Sequence, residues 1–220
     1  MNLEYSCFIS YRRNDDEIRF IRNLKKIVQG EVFKVTNKQR AFLDNDEIRY
    51  GEHFDEKIYA SLESSFFFIS VWYFNYLHED NLWCARELYH ALQIEACIKE
   101  CLSEADRANY YHVIPLVHRG ANSDLPDCMS RKNAVPIKLL ETDIVNNRTT
   151  ARLTKFKVQL YDALHSYYQT LVTNAGKVDF NKVFNNIKRL TDEELRTWVS
   201  EQRKKAIENE ATKLPVLTIK

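Results

Sequence analysis

The chain has 220 residues, 45% of them hydrophobic and 12% aromatic, enough apolar material for one well-packed domain with an appendage, which excludes a largely disordered chain. Lys and Arg number 32 against 31 Asp and Glu, a formal charge of +1, so no nucleic acid and no membrane surface is expected as a partner and any binding site must be local. Cys7, Cys84, Cys97, Cys101 and Cys128 lack the dense spacing of a disulfide scaffold, and no signal-peptide pattern opens the chain. The longest apolar stretch, around Phe66 to Tyr76, is too short to span a bilayer, so a soluble protein in the reducing cytoplasm is expected. Four glycines form neither a Rossmann nor a P-loop phosphate pattern.

"YSCFISYRR" predicts a buried strand over Glu4 to Ser10 that delivers Tyr11, Arg12 and Arg13 to a loop. Ile18, Phe20, Ile21, Leu24, Ile27 and Val28 then fall at helical spacing, with Asp15 or Asp16 as the expected cap. A second strand is read over Ala41 to Asp44, followed by the charged loop "NDEIRYGEHF", Asn45 to Phe54, and a helix from Phe54 to Glu63. "SFFFISVWY" reads as a central strand covered on both faces.

"HEDNLWCAREL" leads into a third helix that buries Leu88, Ala91, Leu92 and Ile94. A fourth strand is expected over Tyr110 to His118, placed near an edge or distorted by Pro115. The looser stretch Arg119 to Asn147 holds a fifth strand candidate at Ala134 to Leu139. Leu153, Phe156, Leu160, Tyr161, Leu164, Tyr167, Tyr168 and Leu171 trace a long closing helix.

Alternating strands and helices give an α/β fold, a doubly wound, five-stranded parallel sheet of flavodoxin-like type over residues 1–172. Residues 173–220 read as a helical C-terminal extension with a thin apolar stripe, in which Thr191 and Glu194 make a capping box.

In such a sheet function gathers where the strands end, which selects Tyr11 to Asp16, Asn45 to Phe54, Trp72 to Glu87 and His118 to Asn122. The boxes "FISYRRND", "FLDNDEIRYGEHF", "FISVWYFNYLHEDNLWCARELYHAL" and "VIPLV", in that order, resemble those of a Toll/interleukin-1 receptor (TIR) domain over about Tyr5 to Leu171. "WCARE" is similar to the element found in TIR proteins that consume NAD, in prokaryotic antiphage defence and in the animal axon-degeneration enzyme. The resemblance implies NAD+ as substrate with no further cofactor, Glu87 as the catalytic carboxylate, and cleavage of the nicotinamide–ribose bond to ADP-ribose or a cyclic isomer. It also implies self-association through the Asn45 to Phe54 loop and, by analogy with Thoeris-type systems, a separate effector or sensor protein.

The chemistry supports Glu87 independently, because the nicotinamide of NAD+ is cationic at its ring nitrogen and leaves neutral. One carboxylate that binds ribose hydroxyls and faces the developing oxocarbenium carbon is then sufficient. Trp83 lies one helical turn before Glu87, where its indole could wall the ribose and nicotinamide. Taken alone, Glu87 reads first as a solvated helix residue or a partner of the positive end of the helix, and the other boxes tip the reading toward catalysis. Arg12 and, less readily, Arg13 could grip the pyrophosphate, and Tyr11 the nicotinamide half. The alternative is a salt bridge from the arginines to Asp15, Asp46 or Asp55. Phe54 is either an apolar lid or the first buried residue of the second helix.

Cys84 has no neighbouring base and reads as a buried structural thiol. His112, His118, Cys97 and Cys101 match no zinc spacing, so metal is not expected. A receiver domain would need an Asp after the third strand, where Val71, Trp72 and Tyr73 stand. A TIR scaffold that assembles without turning anything over remains the alternative to an enzyme.

Overall fold

The computed structural model describes residues 3–12, 17–43, 54–73, 76–79, 82–118, 125–130 and 134–211. Its strands are Cys7–Tyr11 (β1), Ala41–Phe42 (β2), Phe68–Trp72 (β3), Val113–Val117 (β4) and Val135–Pro136 (β5). They form one parallel sheet in the order β2-β1-β3-β4-β5, the flavodoxin-like arrangement expected. Every residue of β1, β3 and β4 is buried, which is why these strands read as near-continuous apolar runs.

The outer strands are shorter than the sequence suggests. Of the expected Ala41 to Asp44 strand only Ala41 and Phe42 pair with β1, and β5 stops at Pro136. Proline offers no N–H to a ladder, and the chain turns from Ile137 into the 3-10 turn Lys138–Leu140. The first strand ends one residue later than expected, at Tyr11.

Pro115 is accommodated by the direction of its missing donor. The carbonyl of His112 and the amide of His118 bond to β3, whereas the carbonyl of Val117 accepts from Ile137. Odd-numbered residues of β4 therefore face β5, and among the described residues β5 joins only at Leu116. Pro115 thus sits in a penultimate strand at a level where its β5 side needs no donor.

Nine described helices cover the sheet: Ile18–Thr36 (α1), Phe54–Glu63 (α2), Trp83–Glu100 (α3), Glu104–Asn109 (α4), Asp127–Ser130 (α5), Glu141–Val145 (α6), Ala151–Thr173 (α7), Phe180–Asn185 (α8) and Asp192–Ala211 (α9). Helix α1 outlasts its predicted stripe and stops at Asn37, whose φ of 54° is a left-handed cap that asparagine tolerates. Glu17 flanks its start without a side-chain capping bond, and Asp15 and Asp16 lie outside the described residues.

Helix α1 packs with α6 and α7, while α2 packs with α3. On the α3 face Phe8 stacks with Phe42 at 4.9 Å and with Phe68 at 5.7 Å, a row of rings across three strands. All three are fully buried, and each such ring is worth about 1.5–3 kcal/mol of transfer free energy.

The extension docks on the α3 side. Trp198 of α9 packs edge-on against Tyr89 at 5.4 Å, and α8 packs on α3. The expected capping box forms: the Thr191 amide donates to Glu194 Oε2 over 2.8 Å and the Glu194 amide to Thr191 Oγ1 over 3.3 Å.

Candidate active site

Strand pleating decides which residues of β1 meet α3. Phe8 and Ser10 point to that face, and Cys7, Ile9 and Tyr11 to the α1 face. Glu87 is the fifth residue of α3, past the helix's first turn, and points into the sheet with 4% of its surface exposed. A carboxylate this buried needs hydrogen-bond donors. Ser10 Oγ provides one, donating to Glu87 Oε2 over 2.5 Å.

The Tyr76 hydroxyl lies 2.5 Å from the same Ser10 Oγ. Serine has a single hydroxyl proton, and Ser10 gives it to Glu87, so the phenol is the donor in this second bond. The polar chain runs Tyr76 O–H to Ser10 O–H to the Glu87 carboxylate. Burial, followed by the charges of Cys84 and Glu87, pushes the Tyr76 phenol well above its ordinary range, so it stays protonated and able to donate.

Ser70 is the strand neighbour of Ser10 on β3, and Trp72 follows two residues later on the same face. Ser70 Oγ and Trp72 Nε1 are both buried and find no hydrogen-bond partner among the described residues. The Trp72 ring packs on Tyr76 at 4.5 Å. Polar groups therefore converge between β1 and β3, where the strand order reverses and open α/β sheets bind ligands.

Residues 4–101 match the family model of the TIR domain. The matched segment runs from β1 through α3 and contains Ser10, Tyr76 and Glu87. TIR domains generally self-associate and serve in signalling, and they include enzymes that cleave NAD. The search among curated proteins finds no match for the chain.

Around Ser10, Tyr76 and Glu87 the expected residues divide. Trp83 opens α3 one turn before Glu87 but stays 40% exposed, with the Arg86 guanidinium 5.0 Å from its ring centre. Arg12 is the first residue beyond β1 and is partly buried. Tyr11 is buried on the α1 face, opposite Ser10 and Glu87, so the sheet separates it from the carboxylate. Arg13 and residues 45–53 of the charged loop lie outside the described residues, and Phe54 is described only as the first residue of α2.

Sequence reasoning missed Ser10, Ser70, Trp72 and Tyr76. Only the serines carried a signal: hydroxyls inside two otherwise apolar strands, at positions the sheet brings side by side.

The remaining candidates are occupied structurally. Glu95 accepts from the amides of His112 and Val113, each over 2.9 Å, and His112 Nδ1 lies 3.1 Å from the Phe66 carbonyl. His118 is fully buried on the α1 face, stacked on Phe20 at 4.2 Å with Nε2 3.2 Å from Glu141. Cys84 is buried, as its neighbours suggested. Among the described residues no His, Cys, Asp and Glu group is arranged to hold a metal, and no helix is long and apolar enough to cross a membrane.

Proposed function

We propose that this TIR domain is an NAD+ glycohydrolase or cyclase that breaks the nicotinamide–ribose bond with Glu87 as its catalytic carboxylate. The observation that carries the reading is the buried Glu87 side chain, oriented by Ser10 at the reversal point of the sheet. A carboxylate held there can accept the ribose hydroxyls and oppose the positive charge that develops as neutral nicotinamide departs. Trp83 walls the entrance and Arg12 binds the pyrophosphate, with Arg13 and Phe54 as further contacts; Tyr11, on the far face of the sheet, is left out of the site. Water attacking the ribose carbon gives ADP-ribose, and a nucleophile from the same molecule gives a cyclic product. The protein acts as a self-associating TIR enzyme of prokaryotic antiphage defence, its product read by a separate effector.

The test is nicotinamide release from NAD+ by concentrated protein under crowding conditions that favour assembly. Wild type is expected to release nicotinamide, and Glu87→Gln to lose about 100-fold or more in kcat while folding normally. An assembled wild type that releases none would overturn the reading and leave a TIR scaffold joined through the Asn45 to Phe54 loop.

A further inference from the structure

We propose that Tyr76 is a positioning residue for Glu87 and orients it through the Ser10 hydroxyl. The inference rests on the assignment of Glu87 as the catalytic carboxylate and adds residues that order its geometry.

Three neighbouring parts of the fold meet in this chain of hydroxyls: Ser10 from β1, Tyr76 from the segment after β3, and Glu87 from α3. Ser10 and Tyr76 are each 1% exposed, so water does not compete for their protons. A serine hydroxyl alone is a rotor with several settings. By donating to Ser10 Oγ, Tyr76 occupies the acceptor side of that oxygen and leaves its proton directed at Glu87 Oε2. Hydrogen bonds in series polarise one another, by about 10–30% per bond, so the donor facing Glu87 is also strengthened.

Tyr76 is itself well fixed. Its amide donates to the Tyr73 carbonyl over 2.8 Å, and its ring rests on Trp72. The phenol remains protonated across the working pH range because burial disfavours its anion. A tyrosine serving the core alone would need only its ring. Here the hydroxyl end is committed to a chain that terminates on the carboxylate.

A double-mutant cycle in the full chain tests the relay, using Tyr76→Phe, Ser10→Ala and both together. Misorientation of a reacting group costs up to about 100-fold in rate, and the expected losses in kcat are about 10-fold for Tyr76→Phe and about 100-fold for Ser10→Ala, with KM little changed. Because Tyr76 works through Ser10, the double variant should match Ser10→Ala alone, whereas independent packing effects would multiply to about 1000-fold. The second readout is the 13C-carboxylate resonance of Glu87 at fixed neutral pH, assigned by its absence in Glu87→Gln. It should move in Tyr76→Phe and coincide in Ser10→Ala and the double variant.

An unmoved resonance in Tyr76→Phe, or further movement when Tyr76→Phe is added to Ser10→Ala, would overturn the relay. Absence of nicotinamide release from wild type would overturn the glycohydrolase reading instead. The resonance cycle decides the relay in either case, and Tyr76→Phe alone decides it if Ser10→Ala fails to fold.

Discussion

Arg86 and Glu87 are adjacent in sequence and serve opposite sides of α3. The Arg86 guanidinium covers the exposed Trp83 ring and pairs with Asp192 and Asp55, while the Glu87 carboxylate ends on Ser10 beneath the helix. One turn thus joins the buried carboxylate to a surface clasp. The clasp also reaches the extension, since Asp192 opens α9.

This arrangement makes Arg86 the support of the aromatic wall. An exposed cation–π contact is worth about 0.5–1 kcal/mol, so on the proposed glycohydrolase reading Arg86→Ala should raise KM for NAD+ by about 2- to 5-fold with kcat nearly unchanged. Trp83→Ala should raise it further. Initial-rate measurements over a range of NAD+ concentrations check both.

The extension should melt together with the sheet. Leu195 and Val199 of α9 are fully buried, and α9 packs on both α3 and α5. Leu195→Ala is expected to cost about 2–5 kcal/mol, and thermal unfolding followed by circular dichroism should show one transition at lower temperature. Two separated transitions would show that α9 folds independently.

Glu194 gives the capping box a defined pH window. Hydrogen bonding from Lys188, followed by the Thr191 amide, lowers the Glu194 carboxyl from 4.5 to about 2. A depressed carboxyl stabilises the fold above its unfolded value and loses that contribution as pH falls through its folded value. The difference in urea midpoint between wild type and Glu194→Gln should therefore be constant above 4.5 and vanish toward about 2. Glu194 is only half-buried, so added salt should shrink the Lys188 share of the difference.

The thiols should sort by burial. Cys7 lies fully buried in β1 and is pushed up to about 12 by that burial, whereas Cys97, Cys101 and Cys128 are partly exposed. Burial, with Glu100 and Cys101 nearby, also raises Cys97. A thiol reagent at mildly alkaline pH should label Cys101 and Cys128 first, Cys97 more slowly, and Cys7 only on unfolding. Mass mapping of the labelled peptides checks the order.

The central sheet was legible because buried parallel strands carry their signal in contiguous sequence: "CFISY" and "FISVW" are apolar apart from one serine each. The Thr191–Glu194 box was legible for the same reason, since both partners lie within one turn. The edge strands were legible in place but not in length, and the short helices α4, α5 and α6 were not legible, because pairs and single turns leave too little periodicity to read. Glu87 was visible through its neighbours in "WCARE". Its partner Ser10 lies 77 residues away, a pairing that only the parallel register establishes. Trp83 shows the converse: helical spacing put it on Glu87's side of the helix, but spacing says nothing about depth.

Because side chains alternate along a strand, the Ser10 contact also acts as a check on sheet assembly. A slip of β1 by one residue against β3 would send Ser10 toward α1 and bring Tyr11 or Ile9 beneath α3, leaving Glu87 buried without its serine donor. A misregistered chain would thus hold a buried carboxylate short of one donor, so the group proposed for chemistry also favours the native pairing.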